Sequence, residues 1–270
     1  MPKFNDFDMD KWKDLSDIET DSLWIIDKRD NSGKHDGFYH GNFVPQIPHQ
    51  LIKRYTKKND TVLDAFLGSG TTAYECETLG RNFIGIDIKK EMVDYVTEKL
   101  ADKSLLEEPN KNFAYCIEGD SSSTTTYNKV NSILTKEGKE KVQLVVLHPP
   151  YFDILKFSNK KEDLSNAKDL KTFINMFGKV VKHCTEVLEN NYYLAIVIGD
   201  KYSSGEWIPL GFYCMQEAQK QGLKLKSIIV KNMDGNRAKQ GKNDIWRYRA
   251  LASDYYIFKH EYILVFKREM

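Results

Sequence analysis

Apolar residues fall in two rhythms along this chain, and the rhythms alternate. Short apolar runs, the mark of strands buried on both faces, occur at TVLDAF (61–66), NFIGIDI (82–88), NFAYCIEGD (112–120), QLVVLHPPY (143–151), YYLAIVIGD (192–200), LKLKSIIVKN (223–232) and EYILVFKRE (261–269). Helical spacing occupies 46–56, 68–80, 89–103, 172–189 and 209–222, and Gly80 stops the second of these segments. Strand–helix alternation predicts a mainly parallel sheet covered by helices on both faces, an α/β architecture. The last run follows another strand with no helix between them, which predicts an antiparallel strand at the end of the chain. Residues 1–40 are polar and Asp-rich apart from Leu23-Trp24-Ile25-Ile26, and GKHDGFYHGN (33–42) reads as a loop. The expected organisation is an N-terminal extension, 1–40, before one catalytic domain, 41–270.

Composition narrows the class. Hydrophobic residues make up 41% and charged residues 29%, enough for a large core and against global disorder. A formal net charge of +1 means that a nucleic-acid surface must be local. The charge is uneven: residues 1–30 carry nine acids against five bases, and residues 224–249 eight bases against two acids. Cys76, Cys116, Cys184 and Cys214 lack CxxC spacing, which argues against zinc and a disulfide framework and fits a reducing cytosol. No apolar run approaches a membrane span, and the acidic start does not resemble a signal peptide. A cytoplasmic protein is expected.

The stretch VLDAFLGSGTTAYE (62–75) is the most informative. A strand delivers Asp64 to its carboxyl end, Gly68 and Gly70 allow close backbone approach to a ligand, and Thr71-Thr72 open a helix. A phosphate-binding loop would need Gly-Lys-Ser/Thr, and no Lys is present. GSGTTA matches a dinucleotide fingerprint only weakly. Asp64 ahead of the turn suits a cationic amino-acid moiety better than a pyrophosphate. Asp87 ends the second strand, where a carboxylate accepts from ribose hydroxyls. Asp120 ends the third, within reach of an adenine amino group. Taken together the acids describe a pocket for adenosine joined to an amino acid. Singly, each also reads as a helix N-cap, and for Asp120, followed by SSSTTT, that reading stays open.

DAFLGSGTT together with LHPPY resembles the amino-methyltransferases of DNA, the adenine-N6 and cytosine-N4 enzymes, over roughly residues 40–200 and the terminal strand. The resemblance implies a Rossmann-like methyltransferase fold with a seven-stranded sheet, mainly parallel, and an antiparallel terminal strand. It also implies S-adenosyl-L-methionine as cofactor and double-stranded DNA as substrate. The cofactor-binding residues it implies are Phe43, Val44, Pro45 and Gln46 at the methionine end; Asp64, Phe66, Gly68, Gly70 and Thr71 at the turn; Asp87 and Ile88 at the ribose; and Asp120 and Ser121 near the adenine.

His148-Pro149-Pro150-Tyr151 is then the catalytic tetrapeptide. The lone pair of an exocyclic base amine is delocalised, so the site must accept hydrogen bonds from the NH2 to direct it at the methyl group. Two prolines stiffen the corner, the Pro149 carbonyl is one acceptor, and Tyr151 stacks on a base turned out of the duplex. His148 departs from the family, which has Asp, Asn or Ser there. A neutral imidazole accepts through one nitrogen, and a protonated one does not accept. Adenine-N6 is favoured over cytosine-N4. The other readings are an RNA guanine-N2 methyltransferase and a catalytically silent DNA-binding subunit. A second subunit or the nuclease of a restriction system is a further expected partner.

DNA contacts are expected from small insertions near 152–170 and 231–255, with Gly199-Asp200 flanking the base pocket. KNMDGNRAKQGKNDIWRYR (231–249) reads as a loop or hairpin tip. Lys156, Arg237, Lys239, Lys242, Arg247 and Arg249 are the expected DNA-binding residues.

Overall fold

The computed structural model describes residues 3–39, 41–102, 111–233 and 243–269. Its strands are β1 (Leu23–Trp24), β2 (Thr61–Asp64), β3 (Asn82–Asp87), β4 (Ala114–Glu118), β5 (Val142–Leu147), β6 (Leu188–Ile198), β7 (Lys201–Ser203), β8 (Glu206–Ile208), β9 (Leu223–Asn232) and β10 (His260–Arg268). The helices are α1 (Gln46–Tyr55), α2 (Thr71–Leu79), α3 (Lys90–Ala101), α4 (Thr124–Lys136), α5 (Leu170–Val187), α6 (Leu210–Lys220) and α7 (Asn243–Leu251).

All seven apolar runs are strands of one sheet, ordered β1-β9-β10-β6-β5-β2-β3-β4. β10 runs antiparallel to both of its neighbours, β6 and β9, and the other pairings are parallel. The eighth strand, β1, is the apolar cluster of the N-terminal extension, paired to β9 through Leu23 and Trp24. Two residues are too few to show an alternation, so the pattern did not announce it.

Two apolar layers sandwich the sheet. One contains Ile47, Leu51, Val62, Phe83, Val96, Leu144 and Val265 and lies under α1, α2 and α3. The other contains Leu63, Ile84, Val145, Phe173, Phe177, Val181 and Cys214 and lies under α4, α5 and α6. Alternate residues of β2 serve opposite layers: Val62 faces one and Leu63 the other, both fully buried. Each such side chain contributes roughly 1.5–3 kcal/mol through burial.

Two segments differ from the sequence reading. α4 did not emerge from the apolar pattern, although Tyr127, Val130 and Leu134 line its buried face and Ser123 is its N-cap residue. The stretch 243–251 is helix α7 rather than loop, so a helix does separate β9 from β10. NDIWRYRAL contains neither Gly nor Pro and has Asp244 in its first turn, which favours a helix. Among the described residues, no helix is long and apolar enough to cross a membrane.

Candidate active site at the carboxyl ends of the central strands

Strand register brings the expected residues to one edge. Asp64 pairs with Val146 on one side and Gly85 on the other. His148 and Asp87 therefore each stand two residues beyond a partner of Asp64. Asp87 in turn pairs with Glu118, two residues before Asp120. The glycine turn, the three acids and the His-Pro-Pro-Tyr corner thus share the carboxyl edge of adjacent parallel strands, where open α/β sheets take their ligands.

The turn after β2 is held from beneath. Thr72 Oγ1 donates to Asp64 Oδ2 (2.5 Å) and the Phe66 N–H to Asp64 Oδ1 (2.9 Å). Asp64 is only 1% exposed, so its carboxylate shapes the turn from inside. Burial pushes its carboxyl up to about 6, against the two hydrogen bonds and with the help of the nearby Asp87 charge. Gly70 caps α2 at φ 86°, and a Cβ there would meet Val96 Cγ1 at 2.8 Å. Thr71 begins the helix and is buried.

Asp87 is half-buried and accepts from the N–H groups of Gly68 and Lys89, each at 2.8 Å. Burial raises its carboxyl, opposed by these two bonds. Each oxygen keeps accepting capacity for a further donor. Asp120 accepts from the Ser122 N–H (2.7 Å) and the Ser122 hydroxyl (3.0 Å), just before the Ser123 cap of α4. Asp120 is therefore not the helix N-cap: its carboxylate closes a turn onto Ser122, and Ser123 caps α4. Ser121 is buried, with its hydroxyl donating to the Ala65 carbonyl at 2.5 Å. Ile88, Asp120, Gly119, Ile117 and Ile133 line an open cleft of about 820 Å³.

The segment before α1 joins the two motifs. Ser69 Oγ donates to Asn42 Oδ1 at 2.7 Å, and the Phe43 ring stands edge-on to His148 with centroids 4.8 Å apart. Pro45 is buried at the head of α1 and Val44 partly buried. Gln46 is committed elsewhere: its amide donates to the Lys28 carbonyl (2.7 Å) and accepts from the Asp30 N–H (3.2 Å). Glu75 of α2 accepts at 2.7 Å from His35 and at 2.8 Å from His49, tying the N-terminal segment to α1 and α2.

In the catalytic corner, His148 Nε2 lies 3.3 Å from the Tyr151 hydroxyl, which donates to Glu261 Oε2 at 2.8 Å. Burial lowers His148 to about 4, with Glu261 opposing the fall and Lys231 adding to it. Pro149 is buried and Pro150 partly exposed. A Cβ on Gly199 would meet the Tyr151 ring at 2.9 Å, so this glycine seats the ring. Phe152 follows at φ 55°, an unusual conformation for an aromatic residue, and packs on Phe173.

Two neighbours of the site, Tyr39 and Lys160, carried no sequence signal of their own, whereas Asp200, Lys156, Arg247 and Arg249 were expected. Tyr39 lies over the glycine turn, 3.4 Å from where a Gly68 Cβ would sit, and stacks on Phe157. Lys160 reaches back to the Ile88 carbonyl (2.6 Å) and to Glu118 (2.9 Å). Asp200, 3% exposed, accepts from Trp207 Nε1 (3.0 Å) and the Gly211 N–H (3.0 Å), anchoring the hairpin β7–β8. Lys156, Arg247 and Arg249 are exposed, and Arg249 covers the Trp246 ring. Arg237, Lys239 and Lys242 lie outside the described residues.

Solved structures share this architecture. A SAM-dependent methyltransferase from Methanosarcina mazei aligns with a TM-score of 0.53 at 12% identity, covering 82% of this chain and 97% of that one. TrmN from Thermus thermophilus aligns with a TM-score of 0.51 at 14% identity, covering 84% and 49%. The fold is the Rossmann-like methyltransferase fold. The family model described as DNA methylase, of the N6/N4 type, matches residues 5–98 and 142–269, and the chain belongs to that family. Among curated relatives, the Type II methyltransferase M2.LlaDCHI of Lactococcus lactis subsp. cremoris is 37% identical over 104 residues, covering 37% of this chain and 34% of the relative. The Type II methyltransferase M.MjaII of Methanocaldococcus jannaschii is 46% identical over 50 residues, covering 18% and 9%. M2.DpnII of Streptococcus pneumoniae is 42% identical over 64 residues, covering 22% and 24%. The chain thus spans about a third or less of the length of these relatives.

Proposed function

We propose that this protein transfers a methyl group from S-adenosyl-L-methionine to an exocyclic amino nitrogen in double-stranded DNA, with adenine N6 ahead of cytosine N4. The observation that carries the reading is the shared edge: the glycine turn and the His-Pro-Pro-Tyr corner end adjacent parallel strands, and Phe43 touches His148 between them.

The residues present fit the cofactor. Gly68 and Gly70 give a close backbone turn, the half-buried Asp87 has lone pairs to spare for ribose hydroxyls, and the cleft of about 820 Å³ between Ile88 and Asp120 has room for an adenine. Asp64 acts by shaping the turn, and Ser121 and Thr71 by fixing the strand and helix ends beside it. When bound, the cofactor supplies an electrophilic methyl group on its sulfonium.

The chain's own residues prepare the nucleophile. His148, neutral near pH 7, accepts a hydrogen bond from the target amine, and the Pro149 carbonyl accepts a second. The amine lone pair is thereby turned out of conjugation. Tyr151, seated on Gly199, presents a ring against the base. Attack in line with the leaving sulfur would form the N–CH3 bond as the S–CH3 bond breaks, with the surplus amine proton passing to solvent; it needs orientation and no covalent intermediate on the protein. Lys156, Arg247 and Arg249 hold DNA phosphates. The protein works in the cytoplasm, beside its substrate.

The decisive experiment incubates the protein and labelled cofactor with duplex DNA or with tRNA, then identifies the methylated nucleoside by mass spectrometry. N6-methyladenine in DNA supports the reading, and N4-methylcytosine changes the base alone. Label only in tRNA guanine N2, or cofactor binding without transfer to either polymer, overturns it.

A further inference from the structure

A buried ion pair lies directly behind the catalytic corner. Lys231 of β9 and Glu261 of β10 face each other across the antiparallel ladder, and Lys231 Nζ donates to Glu261 Oε1 at 3.1 Å. Their side chains are 8% and 7% exposed. An isolated charge in that setting would be costly, so each partner needs the other. Glu261 has a second oxygen, and Tyr151 uses it.

Hydrogen-bond direction follows from these partners. An ammonium only donates and a carboxylate only accepts. Paired with Lys231, Glu261 is a carboxylate, so the Tyr151 hydroxyl must give its proton to Oε2. The Tyr151 oxygen then has only lone pairs to offer His148 Nε2, 3.3 Å away. A neutral imidazole carries one proton, and this contact calls for it on Nε2. Nδ1 is left with the lone pair.

We propose that the Lys231–Glu261 pair, acting through Tyr151, fixes His148 in the Nε2–H tautomer and so makes Nδ1 the acceptor for the target amine. The inference rests on the amine methylation proposed above and supplies what the tetrapeptide's unusual first residue lacks. Asp, Asn and Ser all carry a side-chain oxygen that accepts without any choice of tautomer. A histidine accepts at one position in only one of its two neutral tautomers, and therefore needs an external device to select it. Lys231 and Glu261 are positioning residues, since neither touches the reacting atoms.

The groups facing His148 are known on each side. Glu261 from β10 favours the imidazolium and Lys231 from β9 disfavours it, Tyr151 comes from the same segment, and Phe43 presents only a ring edge. Removing either charge therefore shifts His148 in a direction set by sign, which loss of packing alone would not do.

The test reads the tautomer directly, without cofactor or DNA. Long-range 15N–1H spectra of the histidine-labelled full chain at neutral pH distinguish the protonated from the unprotonated ring nitrogen, and the His148 signals are those lost in His148→Gln. The expected result is an unprotonated Nδ1 in the wild type and a tautomer mixture in Glu261→Gln, whose amide both donates and accepts. If Glu261→Gln fails to fold with Lys231 unpaired, Lys231→Met/Glu261→Gln removes both charges and the same mixture is expected. A wild-type Nε2 without a proton, or a tautomer unchanged by these substitutions, overturns the proposal.

In methyl-transfer assays, Glu261→Gln should lower kcat at least about tenfold with KM for the cofactor nearly unchanged. The acid limb of kcat should move down in pH in Glu261→Gln and up in Lys231→Met; shifts in the same direction would contradict the assignment. A wild type with the expected tautomer but no transfer to DNA would count against the reaction rather than against tautomer selection.

Discussion

The Phe43 ring stands edge-on to the His148 imidazole, with centroids 4.8 Å apart and planes at 79°. Phe43 is itself 7% exposed, so this contact closes one side of the corner and covers that edge of the imidazole. The histidine is thereby kept neutral: burial, its largest influence, takes it down to about 4. Its acceptor role survives well below neutral pH. We expect kcat to be level from about pH 5.5 to 8 and to fall only as pH approaches about 4. The sign for stability is the same. The folded value lies below the ordinary imidazole value of 6.5, so the stabilising contribution is complete above that pH and is lost as pH falls through about 4. A rate profile that breaks near pH 6.5 would show that the imidazole is not held in this buried corner. His148→Asn should retain activity, and His148→Ala should lose about a hundredfold in kcat with cofactor affinity kept.

Asp64 titrates in the opposite sense. Burial raises its carboxyl to about 6 from the ordinary carboxyl value of 3.8. Its contribution to stability is complete below the unfolded value and is lost as pH rises through about 6, at an order of 3 kcal/mol. A cationic ligand seated over the turn favours the ionised carboxylate and drives the proton off. Calorimetry near pH 6, in buffers of differing ionisation enthalpy, should find a fraction of a proton released on cofactor binding. Asp64→Asn should abolish that release. Equal proton release in wild type and variant would remove Asp64 from the account.

Gly70→Ala tests the close packing of the turn. The residue has φ 86° and would thrust its Cβ to 2.8 Å from Val96 Cγ1. Left-handed backbone and overpacking together should cost about 2–4 kcal/mol. The readout is the urea midpoint of unfolding, with Gly138→Ala as control, since Gly138 shares a positive φ but has nothing within 4 Å of a Cβ. Equal losses at the two positions would leave the Val96 contact without consequence.

Arg247 and Arg249 are exposed on α7. If both meet phosphates, replacing the pair with Ala should reduce the slope of log affinity against log salt by about 1.8 while leaving sequence preference intact. Filter binding of duplex DNA over a salt series measures it. An unchanged slope would turn α7 away from the nucleic acid.

Much of this was legible in the chain itself. Val62-Leu63-Asp64 and Val145-Val146-Leu147 are uniformly apolar up to their last residues because both sheet faces are covered, and a chemistry-bearing residue follows at each carboxyl end. Gly68 and Gly70 announced the turn because only glycine adopts such φ values without strain. What stayed hidden was tertiary. Lys231 and Glu261 are 30 residues apart, and nothing local marks either as buried. Tyr39 and Phe157 meet over the turn from segments with no periodicity. Asp120 had two readings; the N-cap one fell to Ser123, and Asp120 instead closes a turn onto Ser122 while its carboxylate borders the cleft. α4 stayed unread, because its polar Ser/Thr start obscured the rhythm of Tyr127, Val130 and Leu134.

β1 is two residues long, yet Trp24 sits in register with Lys231 on the outer side of β9. Without it, the Val230–Lys231 end of that strand would bare its backbone N–H and C=O groups at the rim of the sheet. The leading segment thus guards this part of the rim against sticking. Deleting residues 1–30 should convert a dispersed protein into one that self-associates with rising concentration, as light scattering would report. Unaltered scattering would mean that the charges on β9 suffice to keep its rim apart from other chains.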